Sequence, residues 1–148
     1  MAKASNFFTK EEISDIKQAI MDAEFDTSGE IRVHIENNCF GDAVDRATYV
    51  FDKLKMTQTE LRNGVLFYLA VKARKFAIIG DEGINEKVSD NFWNGVKQIL
   101  LNHFRKGEFA NGLCEGILQA GEQLKTHFPY IHGDINELPD DISFDDKL

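Results

Sequence analysis

Four carboxylates and one amide stand where this chain could bring them together. Glu24, Glu30, Asp81 and Glu82, with Asn63, fall at the boundaries of segments that read as regular structure rather than inside them. Carboxylate and amide oxygens are the ligands that hard divalent cations such as calcium and magnesium take. Like charges brought together are costly unless a cation, an arginine or a lysine neutralises them. Two outcomes are open: a metal ion holds the group, or the carboxylates are solvated caps and turn residues with Arg62 pairing one of them. The chain has no EF-hand loop to decide between these. A metal-dependent phosphatase would also need positive groups to hold the phosphate, and near this group the sequence offers only Arg62 and Arg32.

The elements that must position these residues are legible from patterning. Thr9 and Glu12 form a capping box, Phe8 and Ile13 a hydrophobic staple, and Ile13, Ile16, Ile20 and Ala23 an apolar stripe at helical spacing. Asp26-Thr27-Ser28-Gly29 is turn chemistry and ends that helix near Phe25. Ile31, Val33 and Ile35 alternate with Arg32, His34 and Glu36, so a strand is expected with one buried and one wetter face. Asp42 is a helix N-cap, with Val44, Ala47, Phe51 and Leu54 on the inner face. Residues 56–60 read as a polar connection.

Two apolar runs, 65–71 and 76–79, flank a short polar turn at 72–75 and read as a buried hairpin. A further helix carries Phe92, Val96, Ile99 and Leu100, with Ser89 or Asp90 as its cap. A last helix carries Phe109, Leu113, Ile117, Ala120 and Leu124, and its Gly112, Gly116 and Gly121 call for close packing. The strand–helix–strand unit demands a parallel pair, and the hairpin adds an antiparallel strand. The expected fold is a three-layer α/β/α sandwich around a small mixed sheet. In that topology the starts of the first two strands and the end of the third share one edge, which is what gathers Glu30, Asn63, Asp81 and Glu82, with Glu24 just before the first strand.

The 148 residues fit one domain, expected over 1–132, with an acidic, flexible tail over 133–148. A net charge of −8 argues against nucleic acid or an anionic membrane as partner and suits a cation. Cys39 and Cys114 make neither a zinc framework nor a disulfide scaffold. His34, His103, His127 and His132 show no ligand or triad spacing and read as surface residues. No apolar run spans a bilayer and the first residues carry no signal-peptide pattern, so no membrane insertion and a cytoplasmic location are expected.

Several short pieces, in order, resemble the TPM domain family: Glu24 with Thr27-Ser28-Gly29-Glu30-Ile31-Arg32-Val33; Leu54-Lys55-Met56 and Thr59; Arg62-Asn63-Gly64-Val65-Leu66; Gly80-Asp81-Glu82-Gly83-Ile84; residues 104–107; and His127-Phe128-Pro129. The resemblance covers about residues 8–130 and is closest to the soluble, stand-alone bacterial type. It implies an α/β/α sandwich and a divalent-cation site, calcium ahead of magnesium. In plant relatives it is associated with acid-phosphatase activity and photosystem II repair. Carried over by position, it implies Glu24, Glu30, Asn63 and Asp81 as metal ligands, followed by Glu82 and Asp90. The expected function is a cation-binding accessory domain. The alternatives are a metal-dependent acid phosphatase and a protein-interaction module that uses the acidic tail to contact an unknown protein partner.

Overall fold

Thr9 opens the first helix with both halves of its capping box in place: its hydroxyl accepts from the Glu12 amide at 3.0 Å, and the Glu12 carboxylate accepts from the Thr9 amide at 2.9 Å. The computed structural model describes residues 3–89, 91–130 and 142–145. Along these the elements are α1 (Lys10–Glu24), β1 (Glu30–Glu36), α2 (Ala43–Lys53), β2 (Gly64–Ala70), β3 (Lys75–Gly80), α3 (Glu82–Asn85), α4 (Asn94–Arg105), α5 (Phe109–His127) and β4 (Ile142–Asp145).

The four strands form one sheet in the order β3-β2-β1-β4. β1 lies parallel to β2 with Glu30 opposite Gly64, and β3 runs back along β2 with Gly80 opposite Val65. The expected parallel unit plus hairpin is therefore present, with the expected strand directions. β2 is buried along its whole length, because helices cover both faces of the sheet. On one face Ile31, Val33, Ile35, Val65, Phe67 and Leu69 meet the apolar sides of α1, α4 and α5. On the other, Leu66, Tyr68, Ala70 and Ala77 meet Ala47, Val50 and Phe51 of α2. This is the α/β/α sandwich.

The helical glycines act as the sequence implied. A Cβ on Gly121 would lie 2.7 Å from the backbone of Ala23, so α5 and α1 approach too closely for any side chain there. The end of α5 is tied to the α1–β1 turn by Phe128, whose carbonyl accepts from the Ser28 amide at 2.9 Å and from the Thr27 hydroxyl.

Several expectations are corrected. The chain beyond residue 132 is not all tail: Ile142–Asp145 forms β4, parallel to the second half of β1. Its alternating Ile-Ser-Phe-Asp pattern buries Ile142 against the sheet, which an acidic composition hides. Residues 133–141 and 146–148 of the expected tail, and His132, lie outside the described residues. Val44 is half-exposed, and Val50 takes the inward position assigned to it. Met56, placed in a polar connection, is fully buried. Trp93, not Ser89, stands at the N-cap of α4, without a side-chain cap.

Candidate functional site

The starts of β1 and β2 and the end of β3 share one edge of the sheet. The Asp81 amide donates to the Gly64 carbonyl at 2.9 Å, continuing the β2–β3 ladder by one step, and the Glu30 amide donates to the Asn63 carbonyl at 3.3 Å. Asp81 then caps α3, its Oδ1 accepting from the Glu82 amide at 2.7 Å. Its side chain is 5% exposed.

Arg62 reaches this carboxylate from the turn before β2. Its backbone is left-handed, with φ of 51°. The turn is pinned at both ends: the Arg62 amide donates to Thr59, and the Arg62 carbonyl accepts from the Gly83 amide at 2.8 Å. A Cβ on Gly83 would lie 2.1 Å from the Leu61 carbonyl oxygen, so glycine is what lets this turn lie against α3. The guanidinium then binds Asp81 in the two-pronged manner of a charge-assisted pair, Nε to Oδ2 at 2.9 Å and Nη2 to Oδ1 at 3.0 Å. Its remaining nitrogen, Nη1, is 3.2 Å from Glu82 Oε2. The Asp81 hydrogen bonds raise the Arg62 pKa; desolvation opposes them, and the charges of Asp81, Glu82 and Asp52 add to the rise.

The six candidate ligands do not fall into one shell. Asp81 and Glu82 converge on Arg62. Asn63 turns toward the α1–β1 loop, its amide nitrogen donating to the Ser28 carbonyl at 3.1 Å. Glu24 accepts from the Ile31 amide at 2.8 Å, holding the start of β1. Glu30 is buried at the first position of β1, in the same backbone row as Gly64. Asp90 lies outside the described residues. Among the described residues no three histidine, cysteine, aspartate or glutamate side chains are grouped to hold a metal ion. The donors nevertheless suit a hard cation: two carboxylates share one positive charge, and such a cation completes its shell with water or backbone oxygens.

Arg62, Asp81 and Glu82 form one wall of a groove of about 840 Å³ between α2, β3 and the segment leading into α4. Asp52 and Glu86 also line it, so four carboxylates face two cationic side chains, Arg62 and Lys97. The groove has an apolar floor that includes Phe51, Ile78 and Trp93.

The TPM domain family model matches residues 1–123. The chain belongs to the TPM domain family. The NMR structure of the BA42 protein from the psychrophilic bacterium Bizionia argentinensis is 48% identical and superposes with a TM-score of 0.90, covering 98% of this chain and all of that one. The N-terminal domain of a P. gingivalis protein, at 17% identity, superposes with a TM-score of 0.71 over 86% of this chain and 84% of that one. The N-terminal domain of the cg2496 protein of Corynebacterium glutamicum, at 14% identity, gives 0.65 over 88% and 85%. At those identities the last two show the fold alone. No curated protein matches the chain. No helix of the described residues is long and apolar enough to cross a membrane.

This TPM domain carries a second polar cluster that reasoning from sequence missed. Glu36, at the far end of β1, is 2% exposed and accepts two hydrogen bonds of 2.8 Å from Arg46 of α2. The Tyr68 hydroxyl also bonds to it, and His34 Nε2 lies 3.2 Å away. His34 Nδ1 is 2.7 Å from Ser143 and Arg46 is 3.3 Å from Asp145, so β4 is joined to the cluster. Burial alone would raise the Glu36 pKa, but the hydrogen bonds from Arg46, His34 and Tyr68 outweigh it and hold the pKa at about 2. Burial and the Glu36 bond push the Tyr68 phenol far up. His34 is therefore a buried member of a network and not the surface residue expected. Arg46 stands ten residues after Glu36 on the helix that crosses the same face, and that spacing alone does not mark the pair.

Proposed function

We propose that this TPM domain takes up a divalent cation, calcium in preference to magnesium, at the Asp81–Glu82 edge, and that it acts as a binding or accessory domain with no turnover of its own. The observation that carries the reading is that both carboxylates already converge on one positive charge. Arg62 is a resident counter-ion, 40% exposed, on a long side chain that can move into the groove. A cation that takes its place meets Asp81 and Glu82 as ligands, with Asp52 at the groove wall adding attraction. Calcium is favoured because it tolerates irregular shells of oxygen ligands and water, whereas magnesium demands near-octahedral geometry. Glu24, Glu30 and Asn63 support the backbone of this edge in the same reading: they hold the Ile31 amide, begin β1 and tie the Ser28 turn.

A phosphatase is the less favoured reading. A phosphate dianion entering this groove meets four carboxylates against Arg62 and Lys97, and the bound cation would have to supply most of the attraction. The test is a calcium and magnesium titration followed by amide NMR. Saturable shifts centred on Arg62, Asp81 and Glu82, lost in Asp81→Asn, are the expected result. Shifts confined to residues 140–148 would move binding to the acidic tail and end the proposal. Calcium-stimulated hydrolysis of an aryl phosphate, abolished in Asp81→Asn, would replace the accessory role with the enzymatic one.

A further inference from the structure

At the other end of the hairpin, on the face that carries α4 and α5, a separate cavity of about 440 Å³ opens between the β2–β3 turn and the α4–α5 turn. Its walls are Leu69, Phe76, Leu101, Phe104 and Phe109, and its rim carries Arg74 and Arg105. Phe104 stands edge-on to Phe76, with centroids 5.5 Å apart, and tilted against Phe109 at 5.1 Å, so the three rings form a continuous aromatic wall. Phe76, Leu101, Phe104 and Phe109 are each only partly buried. The core leaves them a shared open side.

The rim is what gives this cavity a chemistry. Arg74 and Arg105 are exposed, and neither forms an ion pair with a described residue. Guanidinium groups without a described ion-pair partner are unexpected in a chain of net charge −8, where the two arginines in described ion pairs, Arg46 and Arg62, each hold a carboxylate two-pronged. Among the described residues no acidic side chain lines the cavity. An apolar cavity of a few hundred Å³ with a small number of convergent polar groups is the usual form of a small-molecule site.

We propose that this cavity binds a small amphipathic carboxylic acid, its aromatic or short acyl body against Phe76, Phe104 and Phe109 and its carboxylate between Arg74 and Arg105. The guanidinium fork matches a carboxylate in geometry and charge. An amine is disfavoured by the same two charges, and free phosphate has no apolar body to place against the rings. The site is independent of the cation edge.

The test uses the full chain at low salt, with 4-phenylbutyrate as the probe and its primary amide as the uncharged match. Shifts are read at the Leu69 and Leu101 methyl groups and the backbone amides of the two turns. Saturable shifts at these positions are expected, with about tenfold weaker binding of the amide, as for loss of one charge-assisted pair. Arg105→Gln and Arg74→Asn should each weaken 4-phenylbutyrate severalfold and the amide hardly at all; asparagine is chosen because Arg74 sits at φ of 55°, which asparagine tolerates. Asp81→Asn should leave the affinity unchanged. Equal affinity for acid and amide would overturn the proposal, as would displacement by inorganic phosphate alone. Shifts centred on Arg62 and Lys97, or no saturable binding at millimolar probe, would overturn it as well.

Discussion

Glu36 and Asp81 are both buried carboxylates, and each accepts two hydrogen bonds from a single arginine, at opposite ends of the same sheet. Their surroundings differ. Glu36 has two further partners, the Tyr68 hydroxyl and His34, and its Arg46 also reaches the Asp145 carboxylate of β4. Asp81 has its helix cap and Arg62, and Arg62 is shared only with the exposed Glu82 at the edge of an open groove. In the first pair the carboxylate is buried among α2, β2 and β4 while Arg46 is 33% exposed, and removing any one partner leaves the others. The second depends on one side chain, Arg62, which is 40% exposed. The same pairing thus serves two ends: at Glu36 it joins α2 and β4 to the sheet, while at Asp81 it holds the turn before β2 against the start of α3 at the edge of an open groove.

The largest expected effect of breaking this contrast is at Glu36. Glu36→Gln keeps the shape but removes the charge that Arg46 is built around. Breaking a buried pair from one side costs about 3–5 kcal/mol, a fall in melting temperature on the order of 10 °C for a domain of this size. Thermal unfolding followed by circular dichroism measures it. A change of one or two degrees would mean the network is ornamental and the contrast with Asp81 is wrong.

The same network has a signature in acid. Glu36 is held at about 2 in the folded protein, against an ordinary value of 4.5. A carboxylate depressed in this way stabilises the fold fully above the unfolded value, and the contribution is lost as the pH falls from about 4.5 toward 2. The loss is about 3 kcal/mol by linkage. Denaturant unfolding at a series of pH values should show this slope in the wild type. It should be absent from Glu36→Gln, whose side chain does not titrate. An identical slope in both proteins would assign the acid sensitivity to other carboxylates.

How far these differences were legible in the sequence depends on range. Thr9 and Glu12 announce their helix because both halves of a capping box lie within one turn. The hairpin is legible because two apolar runs and a polar turn are adjacent, and its register follows, bringing Asp81 to the edge where Gly64 and Asn63 begin β2. The Glu36 network was not legible. Alternation along β1 says that His34 and Glu36 share a face, but not that Arg46 and Tyr68 cover it. β4 was hidden for the same reason: four residues in an acidic run pair with a strand about 110 positions earlier, and nothing local marks that partnership. At the candidate site, carboxylates at strand ends could be read, but not which would meet. Arg62 takes Asp81 and Glu82, while Glu24 holds the Ile31 amide of β1 and Asn63 the Ser28 carbonyl of the α1–β1 turn.

Asp81→Asn should show the weaker coupling of the second pair. Asparagine keeps an oxygen for the Glu82 amide, so the helix cap survives. What is lost is the charge in a pair whose arginine is exposed, and the cost should be about 1–2 kcal/mol, below that of Glu36→Gln. This reverses what clustered, mutually repelling carboxylates would predict, because Arg62 already neutralises the cluster. A variant more stable than wild type would restore the repulsion argument and show that Arg62 is not held at Asp81 in solution.

The smallest effect on stability, and the sharpest on function, belongs to Arg62→Met. The guanidinium is 40% exposed and its salt bridges are wet on one side, so its removal should cost less stability than Asp81→Asn. Methionine keeps much of the aliphatic stem, and the turn is still held by the backbone bonds from Arg62 to Thr59 and Gly83. Asp81 and Glu82 would then lack their counter-charge while facing the groove. If the arginine and the cation compete for one place, calcium should bind the variant more tightly than wild type and raise its melting temperature by more. Arg46→Met is the matched control. Glu36 would keep Tyr68 and His34 and would stay buried, so that variant should lose stability and gain no calcium response. A calcium shift that grows in both variants would mean that any unpaired carboxylate suffices. A shift that shrinks in Arg62→Met would mean that Arg62 helps to build the site and does not compete for it.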